Sequence, residues 1–169
     1  VQLTKSVCGP IVGLAPVYGK YNVDWAQKCT EHNAKSLDYI LSTDSITHVV
    51  LSSTFGQYFG PSTGRFLTDG SVEEKDPIVA RSQLASTLEL LKAAGKHPVI
   101  CSPPPRSGFN IGACLERKER RLITFRADCD ISLIAAKEQD RSINESLSLV
   151  SQQTGVEIVW LADLLCSGS

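Results

Sequence analysis

Apolar, hydroxylated and turn-forming positions succeed one another along this chain so as to single out one stretch, residues 46–55 (ITHVVLSSTF). Ile46, Val49, Val50 and Leu51 make a short β-branched and apolar run, the pattern of a parallel strand covered on both faces. It runs out into Ser52, Ser53 and Thr54. In open α/β sheets ligands bind beyond the carboxyl ends of such strands, so this hydroxylated end marks the expected crevice.

The other elements follow from period and punctuation. Residues 1–6 (VQLTKS) read as a strand that leads into a loop broken by Gly9, Pro10, Gly13, Pro16 and Gly19. Asn22 or Asp24 caps a helix that carries Trp25, Cys29, Leu37, Ile40 and Leu41 on one side and ends near residues 42–44. Residues 56–75 hold four glycines and no period, which predicts a long loop at the crevice end of the sheet. Asp76 as cap and Pro77 at the first helical position open a second helix with Ala80, Leu84, Leu88 and Leu91 inside and Gly95 at its end. Residues 97–101 (HPVIC) form the next strand, stopped by Pro103, Pro104 and Pro105. A third helix is expected over 130–153, burying Ile134, Ile143, Leu147 and Val150, with Gly155 beyond it and a last strand at 156–161. Strands alternating with crossover helices predict one α/β domain over residues 1–169, a three-layer α/β/α sandwich with a mostly parallel sheet.

Composition narrows the partners. Seventeen basic residues against 18 acidic ones give no basic surface for nucleic acid or an anionic membrane. No apolar run approaches the roughly 18 to 20 residues that span a bilayer, so direct membrane insertion by these residues is not expected. Six cysteines without a C-x-x-C spacing disfavour a metal site and fit disulfides in an oxidising compartment, with buried thiols the other explanation. Cys8 follows the first strand and Cys29 lies on the helix that the intervening loop reaches, which pairs Cys8 with Cys29. Cys114 and Cys129 flank the charged segment around ERKERR (116–121), itself expected to be a solvated helical face, and form the second pair. Cys101 is expected as a buried free thiol and Cys166 as one whose partner lies downstream. The lack of Met and the start at Val1 point to a segment of a longer chain.

Standard catalytic signatures do not occur: no G-x-S-x-G, no Walker loop, no G-x-G-x-x-G, no H-E-x-x-H. His32 falls on the first helix, and His48 and His97 fall at strand entrances, opposite the crevice, where none can serve a serine as base. The segments VQLTKSVCGPIVGL, QKCTEHN, HVVLSSTFGQYF, PPP…IGACLERK and ADLLCSGS, taken together, resemble the SGNH-hydrolase-like domain fused to bacterial membrane O-acyltransferases of the acyltransferase-3 family. The resemblance implies an SGNH-hydrolase-like fold of flavodoxin-like topology. It also implies an extracytoplasmic module, tethered to the inner membrane in its parent protein, that moves an acyl group, commonly acetyl, from a donor supplied through the membrane domain onto a cell-surface glycan, without a cofactor.

The family's Gly-Asp-Ser-His block, which carries the nucleophile, and its Asp-x-x-His block, which carries the base, are absent from this sequence. The resemblance places them beyond the two ends, with the missing first strand between residues 1–6 and the strand at Ile46. Gly9, Ser53 and Thr54 are left as positions that line the site. There is no Asn near Ser53 and Thr54 where the wider superfamily has one, and these two residues read equally as the cap of a strand end. Gly9 reads equally as a turn residue beside Pro10. The other class of function is a noncatalytic α/β module that binds a partner or a glycan.

Overall fold

The computed structural model describes residues 1–122 and 129–166. It contains two small sheets in place of one. The first is antiparallel, in the order β1 (Leu14–Val17), β3 (Arg65–Thr68), β4 (Ser71–Glu74), and the second is parallel, in the order β2 (His48–Ser52), β5 (His97–Cys101), β6 (Ile158–Val159). The single, mostly parallel sheet expected from the sequence is therefore corrected to a mixed α/β arrangement.

The antiparallel sheet comes from segments read as loop. Asp69 and Gly70 join β3 to β4 with φ of 45° and 81°, the two left-handed residues of a tight two-residue hairpin. β1 carries Pro16, which a central strand would reject; at the edge of its sheet the missing N–H costs no ladder bond. Residues 1–5, expected as the first strand, adopt no regular secondary structure, and a turn follows at Ser6 and Val7. Their alternating pattern has no neighbouring strand to pair with, and a strand exists only in a ladder.

The helical caps follow the expected chemistry. Asn22 opens α1 (Val23–Ser42) by accepting the N–H of Trp25, and Asp76 opens α3 (Pro77–Ala93) by accepting that of Ile78. A short α2 (Gly56–Phe59) follows β2 directly, with buried Phe55 ahead of it at φ 51°. In α4 (Ile111–Glu119) no residue is buried, and the charged run lies on its solvated side and just beyond.

The helix expected over 130–153 is two, α5 (Leu133–Gln139) and α6 (Arg141–Thr154), divided at Asp140. The Asp140 carboxylate is held by the guanidinium of Arg106 rather than capping α6, and this long-range pair fixes the break. Ile134, on α5, is 80% exposed, contrary to expectation, while Ile143, Leu147 and Val150 of α6 are buried. Gly155 ends α6 at φ 69°, and α7 (Leu161–Leu165) follows the two-residue β6.

One main core joins the elements. Leu51 and Ile100 of the parallel sheet pack with Phe55, Tyr58 and Phe59, with Leu84, Leu88 and Leu91 of α3, with Ile143, Leu147 and Val150 of α6, and with Phe66 of the antiparallel sheet. A smaller cluster, Ala15, Val17, Ala26, Cys29 and Leu67, seats α1 on that sheet. The strand at His48–Ser52 is covered on one face only: Leu51 is buried, whereas Val50, pointing the other way, is 67% exposed. Among the described residues no helix is long and apolar enough to cross a membrane.

Candidate functional site

Among the described residues β2 pairs with β5 on one side only, so its other edge presents unpaired backbone groups. Along that edge runs a groove of about 770 Å³. Residues 45–54 form one wall, Val1, Leu3, Thr4 and Lys5 lie on the far wall, and His32, Leu37 and Ile40 of α1 close it together with Thr87 and Leu91 of α3. Residues 1–5 and β2 thus stand apart with an open channel between them, and the two are not paired.

The far wall is fixed in place by covalent and polar ties. Cys8 and Cys29 are bonded, with Cα atoms 5.6 Å apart, which anchors the wall to α1. Four residues further along the same helix, buried Asn33 donates its amide hydrogens to the carbonyls of Gly9 at 2.8 Å and Ile11 at 3.0 Å. These bonds satisfy loop carbonyls that no ladder reaches. The N–H of Val12 donates to the Thr87 hydroxyl at 3.1 Å, tying the loop to α3.

Gly9, expected to line the site, does not line the groove as its neighbours Cys8 and Pro10 do, and is instead pressed against a ring. Its N–H donates to the Tyr58 hydroxyl at 3.0 Å, and a Cβ at this position would lie 2.5 Å from Tyr58 Cε2. Only glycine lets the backbone approach so closely. Burial pushes the Tyr58 phenol well above the ordinary tyrosine range, outweighing the opposing effect of the Gly9 N–H. The N–H of Gly9 is therefore engaged inside the protein, and the residue acts here as a close-packed anchor of the loop.

At the carboxyl end of β2 the two walls meet. Ser53 and Thr54 line the groove, as does Gln57 of α2. The Gln57 amide donates across to the Val7 carbonyl at 3.2 Å and to Ser53 Oγ at 3.3 Å, while its carbonyl accepts from the Thr54 hydroxyl at 2.9 Å. Ser53 Oγ also accepts the Phe55 N–H at 3.4 Å. This puts a side-chain amide at the crevice end, where the sequence shows no Asn. The missed residue had one signal, a spacing of four from Ser53 across a helix start, which becomes meaningful only once α2 is known to begin at Gly56.

His32 lines the groove, while His48 and His97 lie side by side at the amino ends of their strands, ring centres 5.1 Å apart. Among the described residues no histidine is hydrogen-bonded to a serine, so no nucleophile–base pair is assembled from them. The second disulfide joins Cys114 and Cys129, and Cys101 and Cys166 are free and half-buried, where Cys101 was expected to be fully buried. Its side chain falls on the less covered face of the sheet, with Val50 and Val99.

The family model that matches describes an SGNH domain fused to AT3 domains, and it matches residues 1–169. Among solved structures, the chain is similar to the periplasmic domain of a lipopolysaccharide acetyltransferase from Salmonella ser. Paratyphi A. The TM-score is 0.55 at 15% identity, over 83% of this chain and 49% of that one. The likeness is one of fold, and the chain spans about half the length of that neighbour. No curated protein matches.

Proposed function

The chain belongs to the SGNH domains that are fused to AT3 domains, and from that premise we propose that it forms the core of a periplasmic acyl-transferring module tethered to the inner membrane by its acyltransferase partner. The observation that carries this reading is the open edge of β2, facing a groove that ends at Ser53, Thr54 and Gln57. A strand bearing the nucleophilic serine docks in the groove against β2, which places that serine at the polar carboxyl end of the sheet. With the added strand the parallel sheet gains its missing neighbour and the molecule becomes a three-layer sandwich. Two disulfides are in keeping with an oxidising compartment.

The chemistry is a double displacement. Serine Oγ attacks the carbonyl carbon of the acyl donor as its proton passes to a histidine base, and the donor's leaving group departs with a proton. A glycan hydroxyl then attacks the serine ester, gives its proton to the base and releases the serine; acetyl is the acyl group of this reading. Ser53, Thr54 and Gln57 line the acyl end, with Gly9 anchoring the opposite lip through Tyr58. Gln57, whose two amide hydrogens are donated to the Val7 carbonyl and to Ser53 Oγ, holds the two walls together at this end and sets the position of Ser53.

The 169-residue chain is tested on p-nitrophenyl acetate beside a chain extended with the family's Gly-Asp-Ser-His and Asp-x-x-His blocks. The extended chain is expected to turn over, to lose turnover when the block serine becomes alanine, and to lose part of it for Gln57→Ala, which unties Val7 from Ser53. The short chain is expected to show no serine-dependent turnover. Turnover by the short chain that Ser53→Ala abolishes would sink the proposal. The second reading, a noncatalytic module that binds a partner or glycan, draws on the lack of a serine–histidine contact among the described residues. An inactive extended chain decides in its favour.

A further inference from the structure

The parallel sheet has a second groove at its other end of the strand order, beyond the carboxyl ends of β5 and β6, with a volume of about 920 Å³. Trp160, the residue after β6, lies partly in the main core and partly in this groove. Its loop is set by Ser102, whose hydroxyl accepts the Leu161 N–H at 2.9 Å while its N–H donates to the Val159 carbonyl at 3.0 Å. The backbone on either side of Trp160 is thus tied to the residue that follows β5.

Facing it, Asn144, Glu145 and Ser148 line the groove from α6, within one turn of one another. The ionic side chains around them are largely spent: Lys137 pairs with Asp163, Arg141 with Glu138 and Asp140 with Arg106. By contrast, among the described residues the side chains of Asn144, Glu145 and Ser148 have no hydrogen-bond or ion-pair partner. An amide, a carboxylate and a hydroxyl together offer both donors and acceptors at short spacing.

We propose that this groove binds an uncharged pyranose unit, and that it is the subsite for the acceptor glycan, an assignment that rests on the acyl-transfer reading. A pyranose has a C–H face that packs on an indole and a rim of hydroxyls that donate to a carboxylate and an amide oxygen and accept from an amide N–H. With the pairs above formed, Arg106 on Asp140 included, the one lining charge without a cation among the described residues is the Glu145 carboxylate. That charge disfavours an acidic sugar by like-charge repulsion. Its place beyond β5 and β6 puts a bound sugar at the same end of the parallel sheet as Ser53 and Thr54.

The chain has two tryptophans, Trp25 and Trp160. In a Trp25→Phe variant Trp160 is the sole indole emitter, and in the unaltered chain its ¹H–¹⁵N indole resonance gives the same readout. Each is titrated with maltotriose, cellotriose, chitotriose and the acidic trigalacturonate. Expected is a saturable response to at least one neutral trisaccharide, weakened tenfold or more by Asn144→Ala with Glu145→Ala, and a weaker or no response to trigalacturonate. The proposal is overturned if no neutral trisaccharide binds, if the double variant binds as well as the parent, or if the acidic sugar binds as tightly. Sugar binding needs no serine chemistry, so binding without acyl transfer in the extended chain counts against the proposed function alone. Transfer without binding in this groove counts against the subsite alone.

Discussion

Replacing Tyr58 by Phe deletes one oxygen from the interior and leaves the ring, which packs on Phe66 and Phe59 with centres 5.9 and 6.4 Å away. That oxygen is the acceptor for the Gly9 N–H, in a site from which water is excluded. The variant leaves a buried donor unmade, which costs about 1–3 kcal/mol, a large share of the roughly 5–15 kcal/mol that holds a domain together. The pH dependence supplies an independent check. The folded-state pKa of Tyr58 is raised by burial, so its contribution is fully present below about pH 10, where the unfolded tyrosine keeps its proton. Above that pH the unfolded chain releases the proton and the folded chain retains it less favourably than solvent would let it go, so stability falls by about 1.4 kcal/mol per pH unit. Tyr58→Phe lacks this loss, and Tyr18, whose pKa burial also raises, is present in both proteins and cancels. Urea unfolding at pH 7, 9, 10.5 and 11 measures the gap, in a Cys101→Ser, Cys166→Ser background that prevents thiolates from reshuffling the disulfides. A wild-type advantage of 1–3 kcal/mol that shrinks above pH 10 is expected. A gap under about 0.5 kcal/mol at pH 7, or one that widens in alkali, refutes the reasoning.

Three further outcomes are open to measurement. Removing the Cys8–Cys29 bond by double Ala substitution frees a loop of sequence separation 21 and is expected to cost about 3 kcal/mol in urea, through the unfolded chain. Gly9→Ala drives a methyl group into the Tyr58 ring, whose neighbours leave it little room, and should cost about 1–3 kcal/mol with m unchanged. Arg106→Ala leaves the Asp140 carboxylate buried without its cation; because Arg106 is half-exposed, a loss of about 1–2 kcal/mol is expected by calorimetry, and no loss would place the helix break elsewhere.

Local chemistry was legible where it acts locally. Asn22, the Asp76–Pro77 pair and Gly155 do at the helix ends what their side chains and φ preferences dictate. Both disulfides could be read because each closes a loop between positions that their own neighbouring elements bring together. The misreadings have separate causes. Asp69–Gly70 is a strong hairpin signal, but it lay inside a glycine-rich stretch whose composition resembled an unstructured loop. The alternation in residues 1–6 was real, yet without a partner strand it produces no ladder. The division at Asp140 depends on Arg106, 34 positions away, which no local window contains. Of the groove residues, Ser53 and Thr54 followed from their place after an apolar run. Gln57 needed the loop of Val7 to be folded back beside it before its amide had anything to join.

The Cys114–Cys129 bond has a consequence for survival among proteases. Arg120 and Arg121 are exposed, and a trypsin-like cut after either falls between the two bonded cysteines. The resulting halves remain one molecule, and a non-reducing gel shows a single band where a reducing gel shows two. Each half then meets the other at the high effective concentration of a short tether. A nicked chain can therefore unfold and reassemble without losing its other half to diffusion, so that cleavage there becomes a change of connectivity before it becomes degradation.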